Sequence, residues 1–310
     1  MKTESTLSRR ALLGVLPAAV GLASCKAQAR PGDDDLRRSI EALIRDSGAA
    51  DVGVAYRDLA TGEELLVHGD ATFHAASTMK VPVLMELYRQ AEAGKLSLDD
   101  RMAVKIEFAS IVDGSAYSLK VEDDSETSLY RRVGEQLTIR ELARLMITES
   151  SNVTTNMLIE RVTAAKTCEL MERLGTKDIH VLRGVEDGKA YARGLNNTTT
   201  ARALMIILAR LAGREVVSRG ASDEMLTILR AQKFAEGIPA GVPSSVVVAH
   251  KTGWFPGVYH DAAIVEPPRG KPFVLVVLTR GIKDDKRAHR LVADITRLVY
   301  RHAEAARRPA

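Results

Sequence analysis

Strand-type alternation occurs at both ends of this chain, and helical periodicity fills the middle. Val52, Val54 and Tyr56 alternate, and Glu64 to His68 return as a second strand after the turn from Asp58 to Gly62. Strand character reappears only late, at Val246 to Ala249, Ala262 to Val265 and Phe273 to Thr279. Outside the strands lie two amphipathic stripes, Leu36, Ile40, Leu43 and Ile44 at one end and Leu291, Ile295, Leu298 and Val299 at the other. The simplest packing is one sheet built from both ends, with the terminal helices on one face. The intervening residues then form a second, helical lobe, and a cleft between two lobes is a usual place for a ligand. We expect a sheet lobe from residues 36–70 and 240–302, and a helical lobe from 71–239. Within the latter, residues 77–93 read as a helix ended by Gly94, and Thr138 with Glu141 fits a capping box. A helix is expected from Thr154 past Ile159, and Thr198 to Thr200 can cap another over Ala201 to Leu211. The acidic stretch Glu122, Asp123, Asp124 and Glu126 reads as a solvated surface loop.

Composition narrows the function. Of 310 residues, 27% are charged and 45% apolar, as in a globular protein, and the mean hydropathy of -0.07 excludes a multi-span membrane protein. The net charge is +4, half of it from Lys2, Arg9 and Arg10 against Glu4. What remains is too weak a bias to argue for nucleic-acid binding, and no nucleic-acid partner is expected. Two cysteines, Cys25 and Cys168, permit neither a disulfide framework nor a metal cluster by themselves. No HxxxH or Cys/His cluster is present, so neither a metal nor a cofactor is expected.

The first 25 residues read as an address. Ser8-Arg9-Arg10-Ala11-Leu12-Leu13 opens an apolar run of about 14 residues, too short to span a bilayer. The paired arginines point to twin-arginine export, and Leu22-Ala23-Ser24-Cys25 looks like a bacterial lipobox. Cys25 would then be the lipidated first residue of the mature chain, and its lipid the only membrane contact. Residues 26–35 read as a polar tether. The expected location is the periplasm or a membrane-anchored lipoprotein.

Three short motifs carry chemistry. In Ser77-Thr78-Met79-Lys80 the first and last residues share a helix face, so the Ser77 hydroxyl and the Lys80 amine can approach. Lysine's ordinary pKa is about 10.4, so the amine must be depressed before it can take a proton from serine. Serine at a helix start also presents an orphan backbone N–H, one half of an oxyanion hole. Ser150-Ser151-Asn152 lies between two expected helices. There Ser150 could relay a proton to a leaving amine, and Asn152 could hold a substrate amide or orient Lys80. Lys251-Thr252-Gly253 follows a strand. Lys251 and Thr252 could bind a substrate carboxylate, Gly253 allows close backbone approach, and the Trp254 N–H could supply the second oxyanion donor. Each string taken alone is common: a helix start, a turn between helices, a hairpin.

Taken together and in this order, the three resemble the motifs of class A β-lactamases and penicillin-binding proteins. The likeness extends to Met146-Ile147-Thr148-Glu149 before Ser150, to Asn156, to Lys95-Leu96-Ser97-Leu98-Asp99 and to Thr198-Thr199-Thr200. It covers residues 36–302. The resemblance implies an α/β (α+β) fold, an antiparallel sheet flanked by helices plus an all-helical lobe. It implies a serine hydrolase with Ser77 as nucleophile, Lys80 and Ser150 as proton carriers and Asn152, Lys251, Thr252, Gly253 and Trp254 around the substrate. The substrate would be a β-lactam, or a peptidoglycan peptide if the chain is a D-Ala-D-Ala peptidase. A monomer is expected, and a non-catalytic binding or sensor lipoprotein is the third reading.

Four departures stand out. Ser151 replaces the Asp that usually braces the second motif. About a dozen extra residues lie within Ile106 to Gly134. Trp254 follows Gly253 where a small residue is commoner. The family's water-activating Glu sits two residues after an Arg and four before an Asn, whereas here Glu186 lies three after Arg183, and position 190 is Ala. Glu186 remains the candidate deacylation base, with Asn196 or Asn197 as possible partners for it.

Overall fold

The computed structural model describes residues 33–307. The expected export segment and Cys25, and the tether up to residue 32, lie outside them. The tether reading is corrected at its end, because Asp33, Asp34 and Asp35 form the first turn of the Asp33–Ser47 helix. Negative charge at the positive end of a helix dipole favours this start.

The sheet is five-stranded and antiparallel, and both chain ends build it. Its order is Glu64–Val67, Asp51–Asp58, Phe273–Arg280, Val258–Glu266, Val247–Phe255. Asp51–Asp58 and Phe273–Arg280 pair with Val54 opposite Val277, which closes the chain on itself. Side chains of a strand alternate between faces, and here both faces are covered. Phe273, Leu275 and Val277 pack under the terminal helices Asp33–Ser47 and Asp285–Arg307, with Leu36, Ile40, Leu291 and Ile295. Val274, Val276 and Leu278 face the opposite core, which they share with the central helices. Burial on both faces explains why Phe273–Thr279 reads as a continuous apolar run rather than an alternating one.

The central helices are Lys80–Glu92, Ile139–Thr148, Asn152–Val162, Ala164–Arg173, Gly188–Ala192, Ala201–Ala212 and Arg219–Arg230. Ala201–Ala212 falls within the span read as the helical lobe, yet it packs on the sheet against Phe273–Arg280 and Asp51–Asp58. Its apolar surface is wide enough to serve the sheet and the helices together, with Ala203, Leu204, Ile207 and Leu208 all buried. The Thr138–Glu141 capping box forms as expected, and Thr200 caps Ala201–Ala212 through the Ala203 N–H. The segment after Ile106, where extra residues were expected, forms a small hairpin, Glu107–Ala109 paired with Ala116–Ser118, followed by two short 3-10 turns.

Candidate active site

The helix expected from Ser77 starts as a 3-10 turn, Ala76–Met79, and becomes α-helical at Lys80. Among the described residues no side chain caps this turn, which leaves the Ser77 N–H as a first-turn donor. Ala76 has φ of 45°, a left-handed conformation that L-residues adopt only at a cost of about 1–3 kcal/mol. Gly253 sits directly against this turn. A Cβ added at Gly253 would lie 3.1 Å from the Ser77 nitrogen and 3.0 Å from the Ala76 Cβ. The glycine therefore lets the Val247–Phe255 strand, and Trp254 with it, close on the Ser77 backbone.

Lys80 is fully buried, and its amine reaches across to the second motif. Nζ donates to the Ser150 carbonyl at 2.7 Å, to Asn152 Oδ1 at 2.9 Å and to Ser150 Oγ at 3.3 Å. These three acceptors match the three protons of an ammonium. The expected direct contact with Ser77 is thus not made in this state. Ser77 Oγ has no hydrogen-bond partner among the described residues, and it is half-buried at the floor of the cleft. Burial lowers the Lys80 pKa to about 7, although the Asp124 and Glu186 carboxylates pull it upward. A neutral amine has two protons and a lone pair, so its deprotonation frees one position toward Ser77.

Ser150 stands between two lysines. Lys251 Nζ donates to Ser150 Oγ at 3.0 Å and to the Thr252 carbonyl at 2.8 Å. Lys251 is also fully buried, and burial first, then the charge of Lys80, holds its pKa well below the ordinary value, against the opposing pull of Asp261. Ser150 itself has φ of 58°, the backbone turn that aims both its carbonyl and its hydroxyl at Lys80. Beneath Lys251, Asp261 joins His250 Nδ1 at 2.9 Å and accepts the Ile238 N–H at 2.8 Å.

Glu122 and Asp123 of the acidic stretch are exposed, as expected of a surface loop, but Asp124 is not, which corrects the expectation at that residue. Asp124 is buried, and its Oδ2 accepts the backbone N–H groups of Asn152 at 2.9 Å and Val153 at 2.8 Å, and the Ser151 hydroxyl at 3.3 Å. The Asp123 carbonyl accepts the Asn152 side-chain N–H at 2.6 Å. Ser151 caps the Asn152–Val162 helix through the Thr154 N–H, which explains why that helix begins two residues earlier than its periodicity indicated. The only advance signal for Asp124 was the coincidence of a missing carboxylate at position 151 with an acidic insertion upstream.

Glu186 is exposed on the cleft wall. Its pKa is raised by partial burial against that wall and by the Asp123 carboxylate, with Arg183 and Lys80 pulling it down. Two residues after Arg183 stands Val185, and it is this residue that Asn156 clamps. Asn156 Oδ1 accepts the Val185 N–H at 2.6 Å, and its Nδ2 donates to the Val185 carbonyl at 2.9 Å. Asn196 and Asn197 do not partner Glu186. Asn197 Oδ1 accepts the Leu182 and Arg183 N–H groups at 2.7 and 3.1 Å, and Asn196 Oδ1 accepts from the Arg183 guanidinium at 3.1 Å, closing the neck of the loop. The insertion clamps the same loop through Ser110 on Asp187 at 2.8 Å.

A cavity of about 300 Å³ opens over these groups, lined by Ser77, Asn152, Val185, Glu186, Tyr191 and Trp254. Trp254 is 53% exposed, with its ring nitrogen donating to Asp285 at 3.0 Å, so it forms a wall fixed from outside. Lys80, Ser150 and Lys251 lie behind this surface as a linked polar core. Among the described residues no three His, Cys, Asp or Glu side chains are grouped to hold a metal ion.

Known proteins show the same architecture. The model of the beta-lactamase enzyme family matches residues 35–303. The β-lactamase Toho-1 of Escherichia coli is 28% identical over 283 residues, covering 89% of this chain and 90% of that protein. Among solved structures, PBP-A superposes with a TM-score of 0.76 at 28% identity, covering 87% of this chain and 96% of that one. A PBP-A mutant described as an acyl-enzyme complex with penicillin G superposes with a TM-score of 0.75, also at 28% identity, covering 88% and 97%. With the match spanning nearly all of the described residues and the sheet order and motif placement in hand, this chain belongs to the beta-lactamase enzyme family.

Proposed function

We propose that the protein is a serine hydrolase of β-lactamase type that opens β-lactam amides through an acyl-enzyme on Ser77. The observation that carries this reading is the fully buried Lys80 amine, bonded to Ser150 and Asn152 of the second motif, where burial lowers its pKa to about 7. A structural lysine gains nothing from such an environment, whereas a proton acceptor for serine requires it. Neutral Lys80 takes the Ser77 proton as Ser77 Oγ bonds to the lactam carbonyl carbon. The N–H groups of Ser77 and Trp254 hold the resulting oxyanion. Collapse breaks the C–N bond, and Ser150 passes a proton to the leaving nitrogen while Lys80 replenishes it. Lys251 and Thr252 attract the substrate carboxylate, Asn152 its amide, and Gly253 keeps the strand close. Water activated by Glu186 then cleaves the ester and restores Ser77.

A second reading keeps acylation and changes the fate of the ester. Val185, not a carboxylate, holds the clamped position two residues after Arg183. This favours slow deacylation, as in a penicillin-binding-protein-like D-Ala-D-Ala peptidase acting on peptidoglycan peptides. A chromogenic cephalosporin separates the two. Sustained turnover well above one per active site supports the first reading, and a single burst that stops at one product per chain supports the second. No burst and no turnover contradict both. Export and lipid attachment at Cys25 complete the proposal, and incorporation of labelled palmitate should be lost in Cys25→Ser. Among the described residues no helix is long and apolar enough to cross a membrane.

A further inference from the structure

Position 151 lacks a carboxylate, yet the turn it occupies is braced by one. We propose that Asp124 is a positioning residue for the acylation chemistry, supplied by the 106–134 insertion in place of an acidic side chain at 151, and that it holds Ser150 and Asn152 against Lys80. This rests on the reading of Ser77 as nucleophile.

Three observations support it. First, one oxygen of Asp124 gathers the Ser151 hydroxyl and the Asn152 and Val153 N–H groups, three successive residues at the start of the Asn152–Val162 helix. Second, the same segment fixes the Asn152 amide through the Asp123 carbonyl, which turns Asn152 Oδ1 toward the Lys80 amine. Third, Ser150 is held at a φ of 58°. A left-handed serine persists only where its surroundings over-determine it, and here its neighbour on the C-terminal side is the residue Asp124 grips. An ordinary helix cap would satisfy the N–H groups. It would not be 27 residues away in an insertion whose hairpin also reaches the Glu186 loop, through Ser110 and Tyr117.

Charge adds a signature that a purely structural brace lacks. The groups facing Lys80 are Asp124 from the insertion, Glu186 from its loop and Lys251 from the strand. Asp124 and Glu186 favour the protonated amine, and the effect of Asp124 is the larger. Lys251 and Lys80 oppose one another's charge. Removing the Asp124 charge while keeping its shape therefore lowers the pH at which Lys80 loses its proton.

The test uses the full mature chain. Asp124→Asn should move the acidic limb of penicillin acylation to lower pH, and it should shift the Lys80 titration the same way in ¹³C NMR of lysine-labelled protein. Asp124→Ala should slow acylation by about 10²-fold, the scale of a misplacement near 1 Å. Adding Ser151→Asp to Asp124→Ala should recover most of that loss, because the new carboxylate enters the space Asp124 vacates. If Asp124→Ala does not fold, the isosteric Asn variant and the double variant carry the test. Acylation by Asp124→Ala at the wild-type rate, or an unshifted Lys80 titration in Asp124→Asn, overturns the proposal. The NMR titration does not depend on activity. If wild type forms no penicillin adduct, the nucleophile reading fails, and the titration still decides whether Asp124 governs Lys80.

Discussion

At the scale of single residues the site is a problem of proton placement. Lys80 is surrounded by three acceptors that suit its charged form and by burial that penalises it, and the balance falls at about pH 7. In the proposed mechanism the reactive form is the neutral amine, so the rate of acylation by penicillin should rise as pH increases through about 7 and level off above it. A stopped-flow pH series from 5 to about 9 checks this, and Lys80→Met should abolish the rise along with the activity. Glu186→Ala should leave acylation near the wild-type rate and lengthen the life of the adduct by about 10²–10⁴-fold, the usual worth of general-base catalysis, as followed by the mass of the intact adduct over time. Unchanged turnover would remove Glu186 from the mechanism. The meeting of Lys80, Ser150, Asn152 and Lys251 was legible in the sequence because short motifs keep their residues together. Asp124 was not. A carboxylate is indistinguishable from its solvated neighbours until the fold shows what it accepts, and its three donors lie 27 to 29 residues away. The spacing of Ser77 and Lys80 showed that the two can meet, but not that Lys80 would be saturated by acceptors from 70 and 72 residues away.

At the scale of elements, caps and close approaches decide where segments begin. The Thr138–Glu141 capping box satisfies two orphan donors of the Ile139–Thr148 helix, which delivers Ser150. Thr138→Ala should lower unfolding stability by about 1 kcal/mol, read as a shift of the urea midpoint with the slope unchanged. Gly253→Ala presses a methyl group onto the Ser77 turn, where both contacts are tighter than ordinary packing. It should reduce acylation far more than it reduces the melting temperature, a split that measuring the two together would expose. Alternation and stripes revealed the sheet and the terminal helices because long, periodic segments carry their own signal. The Glu107–Ala109 and Ala116–Ser118 hairpin did not show itself, since strands of three residues are too short for a period. The Asn152–Val162 helix extended beyond its apolar pattern because Ser151 and Asp124 cap it with polar groups.

At the scale of the whole molecule, joining the chain's two ends in one sheet sets the site. That sheet places Lys251 next to the turn carrying Ser77, while helices from the middle of the chain bring Ser150 to both. This was legible in outline, because strands at the two ends of a chain have few other partners. The assignment of Ala201–Ala212 to one lobe was not, since a helix apolar on several sides gives no clue to which neighbour it covers. The joint carries a cost on acidification. His260 lies fully buried behind the site, its Nδ1 accepting the Thr279 N–H and its Nε2 donating to the His74 carbonyl, and burial lowers its pKa from 6.5 to about 4. The unfolded chain therefore binds this proton more tightly than the folded one. The contribution is complete above about pH 6.5 and is lost as pH falls toward 4, a difference of about 3 kcal/mol. The melting temperature should drop across that window, and His260→Gln should flatten the drop. The central claim is that four side chains from distant parts of the chain act on one hydroxyl, and peptide mapping of the penicillin-treated protein by mass spectrometry tests it most directly. The account predicts a single adduct on the peptide containing Ser77, absent from Ser77→Ala and strongly reduced in Lys80→Met. An adduct elsewhere in the chain, or one that survives Ser77→Ala, would contradict it.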